Sequence, residues 1–308
     1  MSSGYAVTLL VGPNDLEIDR SNDLLDAIGS CEPTPCRMVV VDDGGHDRRL
    51  RARLRFPKQV EPDFLVFERP RGQTFTQAKG VCGNSMLGFQ WIARHAPDAM
   101  FGMKIDTDAL VIAPFAEKLA REFAEYPAVG VLGANTRSPE GLVRDFTRNA
   151  SLMKALHARA ADLEQHRSLV KYVKDWLTRG PASLLHKHLS EAVKAGYEYG
   201  ENCLGGAYAI RRSCIAEMNR RGYLNHPEHW MPIDVPEELM MHMYARAAGF
   251  RLKNYVAPGE VFGIRLTGLP FPLQELIDRR YSIIHSVKND ARYSEATVRE
   301  FFRVQRQV

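Results

Sequence analysis

Two aspartates spaced two residues apart are the feature of this chain that most directly indicates chemistry. Asp106 and Asp108 stand in the segment FGMKIDTDALVI, between two apolar runs. Side chains two apart on an extended backbone point to the same side, so both carboxylates can face one point in a loop or at a strand end. Carboxylate oxygens suit Mn²⁺ or Mg²⁺. The pattern predicts a metal site for a phosphate-bearing substrate, although a solvated turn fits so short a motif as well.

The elements that would position these aspartates alternate between strands and helices. Residues 5–11 and 38–41 are apolar runs typical of buried strands, and residues 23–28 and 84–95 have helical spacing. Such alternation predicts a mostly parallel α/β sheet covered on both faces, with ligands bound beyond the carboxyl ends of the strands. The acidic residues near those ends are expected to share one cleft; they are Asp42, Asp43, Asp106 and Asp108.

Composition limits the classes of protein that need to be considered. The chain has 308 residues, 45% of them hydrophobic, which is enough for one catalytic α/β domain with an insertion. The 41 basic and 37 acidic residues leave +4, which does not indicate a nucleic-acid partner. The first twelve residues lack the pattern of a signal peptide, so the sequence predicts a soluble cytoplasmic protein. Five cysteines without a CxxC pair favour neither a zinc knuckle nor a redox site.

Several enzyme classes lack their motifs. The first strand is followed by Gly12-Pro13-Asn14 instead of GxGxxG, and GxxxxGK[ST] is absent, so neither a Rossmann nor a P-loop site is indicated. GxSxG and HExxH are also missing. Lys79, in a glycine-flanked approach to the helix at 84–95, could contact a diphosphate, and a solvated lysine at a helix start is the alternative.

Five segments in order resemble the motifs of GT-A glycosyltransferases, in particular the family-two-like inverting enzymes and their metal-dependent relatives. The segments are VVVDDGG, KIDTDALVI, ENCLGGAYAIRRSCI, VPEELMMHMYARAAGF and YSIIHSVKN. The resemblance implies a GT-A fold, with a mostly parallel central sheet flanked by helices and with a helical insertion. It divides one catalytic domain into a nucleotide-binding half at about 1–135, an insertion at 137–195, and an acceptor-binding half with a C-terminal tail at 196–308.

The resemblance assigns the donor side of the site. Asp42 or Asp43 would bond the base or ribose of a nucleotide sugar. Asp108 would be a direct metal ligand, and Asp106 would contact ribose or reach the metal through water. Gly205-Gly206 would let the backbone pass close to the donor sugar, because glycine carries no Cβ.

The resemblance also assigns the catalytic base and the remaining cations. Inverting transfer needs a carboxylate to take the acceptor proton, and Glu238 is the predicted base with Glu237 as the alternative. The family usually has Asp at this position, so the longer arm leaves the choice between the two open. Glutamates also suit the first turn of a helix for purely structural reasons. His285 would complete the metal site, and Lys288 would neutralise the leaving diphosphate.

The implied function is metal-dependent transfer of a single sugar, with Mn²⁺ or Mg²⁺ as cofactor. UDP is the default donor nucleotide from the family alone, and the acceptor hydroxyl could belong to a glycan, a lipid-linked molecule, a natural product or a peptide. The QxxRW motif of processive enzymes is absent, which favours transfer of one sugar. The alternatives are an inactive glycosyltransferase-like scaffold, a sugar-phosphate nucleotidyltransferase and a metal-dependent phosphohydrolase.

The predicted insertion is helical and basic. Between residues 137 and 195 the sequence has eleven Lys or Arg and six Asp or Glu, a difference of +5. Amphipathic helices with Trp176 on one side and Lys171, Lys174 and Lys187 on the other could contact the inner face of a membrane, join a homodimer or cover the acceptor. Simple packing on the core explains them equally well.

Overall fold

A computed structural model describes residues 4–43, 49–66, 81–165, 181–227 and 235–306. The strands within these ranges are β1 (Tyr5–Val11), β2 (Cys36–Asp42), β3 (Val60–Val66), β4 (Phe101–Ile105), β5 (Leu110–Val111), β6 (Val129–Gly133), β7 (Ala207–Arg211), β8 (Arg251–Asn254), β9 (Phe262–Ile264) and β10 (Ile283–His285). The helices are α1 (Asp15–Cys31), α2 (Leu50–Arg53), α3 (Val81–His95), α4 (Ala116–Glu125), α5 (Thr147–Gln165), α6 (Pro181–Lys194), α7 (Arg212–Arg220), α8 (Glu237–Ala247), α9 (Leu273–Asp278) and α10 (Glu295–Gln305).

Seven strands form the central sheet in the order β3-β2-β1-β4-β7-β6-β8. Six of them run in the same direction, and β7 runs antiparallel to its neighbours β4 and β6. The predicted α/β class with a mostly parallel sheet is confirmed, and the architecture fits the GT-A fold that the motifs imply. Parallel strands are joined through helices, which is why apolar runs and helical segments alternate along the sequence.

Helices cover both faces of this sheet. Val7 and Leu9 of β1 belong to one hydrophobic cluster, which includes residues of α1, α4 and α10. Ala6 of the same strand belongs to a second cluster, which includes residues of α3, α7 and α8. Successive side chains of a strand point to opposite faces, so a strand that is apolar at every position is buried from both sides.

A small second sheet brings the end of the chain to the Asp-x-Asp segment. Its order is β5-β10-β9, with β10 antiparallel to β5 and parallel to β9. Ile284 lies opposite Leu110, and the N–H of Val287 donates to the carbonyl oxygen of Asp108 at 3.0 Å. Residues almost 180 positions apart in the sequence are therefore neighbours.

Several element boundaries differ from the sequence-based prediction. The backbone across Asp106 and Asp108 is not extended: β4 ends before them, and the N–H of Ala109 donates to the carbonyl oxygen of Asp106 at 3.0 Å, which closes a turn. Helix α1 begins at Asp15 instead of 23, because the Asn14 side chain caps it by accepting from the N–H of Glu17 at 3.0 Å.

The insertion contributes two helices, α5 and α6, which pack on each other, and α6 also packs on α8. The helical prediction for residues 137–195 is confirmed over α5 and α6, whereas Lys171, Lys174 and Trp176 lie outside the described residues. His157 of α5 joins the two helices, since its Nδ1 lies 2.5 Å from the Tyr199 hydroxyl and its Nε2 lies 3.0 Å from Ser190 Oγ. Among the helices of the described ranges, none combines the length and apolarity needed to cross a membrane.

Candidate active site

The Asp-x-Asp turn and the paired glycines meet at the carboxyl edge of the central sheet. The turn follows β4, and Gly205 and Gly206 precede the antiparallel strand β7, so both connections lie at the same edge. The N–H of Asp106 donates to the carbonyl oxygen of Gly206 at 2.9 Å. This edge is where parallel α/β sheets place their ligands.

Three side chains at this edge could hold a metal ion. Asp106, Asp108 and His285 each offer one ligand atom, and these atoms all lie within 4.8 Å of one another. Two carboxylates and an imidazole form a donor set that accepts Mn²⁺ and, with added water, Mg²⁺. The residues that the sequence predicts as metal ligands are thus close in space, and the tertiary fold brings the histidine to the aspartates.

His285 is oriented from both sides. Its Nδ1 lies 2.8 Å from the carbonyl oxygen of Arg265, which can only accept, so Nδ1 carries a proton and Nε2 is left for a ligand. Nε2 lies 3.4 Å from Asp108 Oδ2. The ring also packs on the backbone of Gly206, where an added Cβ would lie 2.3 Å from the ring carbon Cγ. Only glycine fits beside the ring in this position.

Asp108 remains a carboxylate in spite of its burial. Its Oδ2 accepts from Ser286 Oγ at 2.7 Å and lies 3.0 Å from Lys288 Nζ. Burial alone would raise the pKa of Asp108, but the hydrogen bonds and charges of His285, Lys288 and Ser286 outweigh burial and lower it. The charge of Asp108 in turn raises the pKa of His285 against the effect of burial. The half-exposed Lys288 is a counter-ion to Asp108.

Thr107, the residue between the two aspartates, is held by side chains of α1 and α10. Arg299 of α10 donates to the carbonyl oxygen of Thr107 at 3.1 Å and pairs with Asp23 of α1 at 2.7 Å. The Thr107 hydroxyl donates to the carboxylate of Glu17, also on α1. The turn is therefore fixed by side chains that the sequence analysis did not single out.

Lys104 is a buried cation that the sequence analysis missed. Its side chain is 2% exposed, and Nζ lies 2.6 Å from Asp106 Oδ1, 2.8 Å from Glu237 Oε1 and 2.6 Å from the carbonyl oxygen of Gly205. Burial lowers the pKa of a lysine, but the two carboxylates outweigh burial and raise it. The available signal was a lysine in the otherwise apolar strand FGMKI, two residues before Asp106 and therefore on its side of the strand.

The two glutamates at the start of α8 occupy different environments. Glu237 is buried, with Oε1 on Lys104 and Oε2 accepting from the Tyr208 hydroxyl at 2.8 Å. Glu238 is half-buried, and burial together with the neighbouring Glu237 raises its pKa to about 7. A Cβ on Gly205 would lie 3.1 Å from an oxygen of each glutamate, so this glycine gives the two carboxylates room beside the metal-binding turn.

The predicted nucleotide-side residues lie farther along the same edge. Asp42 ends β2 and is buried, and Asp43 accepts from Asn84 Nδ2 at 3.0 Å. One strand, β1, separates β2 from β4, so the two groups of acids are about 10 Å apart by strand spacing. That separation suits opposite ends of a nucleotide. Lys79 lies outside the described residues.

Comparison with solved structures finds two glycosyltransferases among the chains that are similar to this one. Its similarity to the apo structure of the bifunctional glycosyltransferase WbbM has a TM-score of 0.44 and 13% identity, and covers 94% of this chain and 47% of that chain. For the mannosyltransferase PcManGT from Pyrobaculum calidifontis, in complex with GDP-Man and Mn²⁺, the TM-score is 0.40, the identity is 16%, and 81% of this chain and 54% of that chain are covered.

Both neighbours are glycosyltransferases. This chain spans about half the length of each. No family model and no curated protein sequence matches it.

Proposed function

We propose that this chain is a metal-dependent glycosyltransferase that moves one sugar from a nucleoside diphosphate sugar to an acceptor hydroxyl with inversion. The observation that supports this most directly is the convergence of Asp106, Asp108 and His285 beside the glutamates of α8. Metal-dependent inverting transfer uses a metal site for the donor diphosphate and a carboxylate that takes the acceptor proton. UDP is the first donor nucleotide to test.

The metal would be held by Asp106, Asp108 and His285. When bound, Mn²⁺ or Mg²⁺ supplies positive charge to the diphosphate that departs from the sugar. Lys288 adds a second cation, since its long side chain pairs with Asp108 and is exposed enough to turn toward a bound phosphate. Asp42 and Asp43, farther along the edge, would contact the base or ribose.

Glu238 would be the general base. A base works best when its pKa lies near the working pH, and burial together with the charge of Glu237 raises the pKa of Glu238 above the usual range of a glutamate, toward neutral pH. It is also the less buried of the two glutamates. Glu238 would accept the proton of the acceptor hydroxyl as that oxygen attacks the anomeric carbon, while the bond to the diphosphate breaks on the opposite side. Glu237 is less suited because both of its oxygens are engaged by Lys104 and Tyr208.

The proposal also gives the insertion at 137–195 a place in the catalytic domain. The chain would form one cytoplasmic catalytic domain, and the insertion at 137–195 would lie on the acceptor side, because α6 packs against α8, the helix that begins with the glutamates. The insertion would then contact the acceptor, a second subunit or a membrane surface.

Calorimetric titration of UDP, GDP, CDP, ADP and dTDP, with and without Mn²⁺, tests the proposal. We expect one nucleotide to bind only with the metal, and its binding to be lost in Asp108→Ala. The matched control is Asp98→Ala, which removes an exposed aspartate from a turn at the opposite end of β4 and should leave binding unchanged. If no nucleotide binds the wild-type chain under any condition, the proposal is wrong and the inactive scaffold is favoured.

A further inference from the structure

Lys104 connects three segments of the site through one ammonium group. Its Nζ lies within 2.8 Å of three oxygens, which belong to the Asp-x-Asp turn, to the approach to β7 and to the start of α8. In the described part of the chain, this side chain is the one that touches both a predicted metal ligand, Asp106, and a glutamate of α8, Glu237. It therefore fixes the donor side and the acceptor side of the site relative to each other.

The surroundings of Lys104 make a purely packing role a poor explanation. The other residues of β4 are apolar or glycine and are buried, so a methionine at this position would fill the same volume without desolvating a charge. A buried ammonium is costly unless every proton has a partner, and here every partner belongs to the site. Within the described ranges, the carboxylates that pair with the lysine are those of Asp106 and Glu237, and both belong to the site.

The same contacts commit Glu237 to a fixed place. Lys104 holds Oε1 at 2.8 Å, and the Tyr208 hydroxyl donates to Oε2 at 2.8 Å. Tyr208 itself is fully buried in β7. A carboxylate that is bound at both oxygens cannot turn toward an acceptor without breaking an ion pair, whereas Glu238 is half-buried and borders Gly205.

We propose that Lys104 is a positioning residue whose ammonium holds Glu237 in its buried place and ties it to Asp106, so that Glu238 is the carboxylate left for the acceptor proton. This rests on the proposed function. Lys104 and Tyr208 take part in no bond-making step; they act by placing the glutamate pair. Glu237 is then a structural anion, and the adjacent Glu238 is the base.

The proposal makes specific demands on the pH dependence, because several charged or titratable groups surround Glu238. They are Glu237 on its own helix, Lys104 on β4, Asp106 in the turn, Tyr208 on β7, Arg144 after β6 and Cys82 on α3. The charge of Glu237 disfavours ionisation of Glu238, and the charge of Lys104 favours it. Removing these two charges must therefore shift the ionisation of Glu238 in opposite directions.

The test measures hydrolysis of a nucleoside diphosphate sugar, with water as the acceptor. The substrate is the UDP-sugar, or the corresponding sugar derivative of whichever nucleoside diphosphate binds in the titration above. Glu238→Gln should lower kcat by about 100-fold or more, while nucleotide binding stays intact. Glu237→Gln keeps an oxygen for Lys104 and a group for Tyr208, so it should lower kcat by less than about tenfold. Glu237→Gln should also move the acid limb of the pH profile of kcat/KM to lower pH than in the wild type, whereas Lys104→Met should move that limb to higher pH.

Lys104→Met leaves two buried carboxylates without their cation and could fail to fold. The Glu237→Gln variant and the double variant with both substitutions keep the test decisive, and the double variant should recover part of the activity lost by Lys104→Met. The proposal is overturned if Glu237→Gln abolishes turnover, or if its acid limb does not move. A wild-type chain that binds no nucleotide contradicts the proposed function instead, so the two failures are distinguishable.

Discussion

Replacing Gly206 with alanine should damage the metal site through one steric contact. The new Cβ would lie 2.3 Å from Cγ, 2.4 Å from Nδ1 and 2.6 Å from Cδ2 of His285. Carbon atoms in contact are normally about 3.5 Å apart or more, so the ring or the backbone must move by roughly 1 Å. The backbone of Gly206 has no positive φ, so the effect arises from the side chain and not from backbone strain.

The consequence follows from how His285 is held. Its Nδ1–H bond to the Arg265 carbonyl fixes the ring, and a shift of this size misaligns Nε2 with Asp108. Disturbing the groups that orient a metal ligand typically costs 10- to 100-fold in metal affinity, about 1.4–2.7 kcal/mol. Overpacking of a buried contact adds a loss of about 1–3 kcal/mol in the free energy of unfolding.

Isothermal titration with Mn²⁺, together with urea denaturation, measures both effects. The matched control is Gly205→Ala, whose Cβ would lie 3.1 Å from an oxygen of each glutamate and does not approach His285. It should retain Mn²⁺ affinity within about threefold, because this contact is short by only a few tenths of an ångström and involves none of the predicted metal ligands. Wild-type Mn²⁺ affinity in a folded Gly206→Ala variant would refute the placement of His285 against this glycine.

Two further predictions concern stability. Arg299→Ala removes one of the two buried arginines that pair with Asp23, and also the donor to the Thr107 carbonyl oxygen, so the free energy of unfolding in urea should fall by about 1.5–3 kcal/mol. Glu238→Gln should stabilise the chain at pH 8 by about 2–3 kcal/mol and have little effect at pH 4, because the folded pKa near 7 lies above the unfolded value of about 4.5.

The sign of the second prediction follows from proton binding. Between pH 4.5 and 7 the unfolded chain loses the Glu238 proton while the folded chain keeps it, so stability falls as the pH rises through this window and stays lower above it. Glutamine removes that loss. A variant that is no more stable than wild type at pH 8 would contradict the raised pKa. For Arg299, the control is Arg303→Ala on the same helix: this half-exposed arginine lies 3.7 Å from the same Asp23 carboxylate, so its removal should change stability by less than about 1 kcal/mol.

Local sequence patterns predicted much of the fold. The run at residues 5–11 became β1 with the same bounds, and Glu237 and Glu238 start the predicted helix α8. These predictions hold because strand burial and the first helical turn depend on nearby residues. The Asp-x-Asp turn was predicted as extended backbone, since the apolar runs on both sides suggest one continuous strand.

The sequence by itself determined the types of residue that the site contains: two spaced aspartates, paired glycines, paired glutamates and a late histidine. Only the tertiary structure decided how they act on one another. The local sequence indicates no contact between Glu237 and either Lys104 or Tyr208, and none between Arg299 and Thr107. The central sheet brings Lys104 and Tyr208 to Glu237, and α10 brings Arg299 to Thr107. Contacts between distant segments depend on strand order and register, which a local pattern does not encode. Burial then sets the charges, because the same glutamate has a different pKa once water is excluded and a second carboxylate lies beside it.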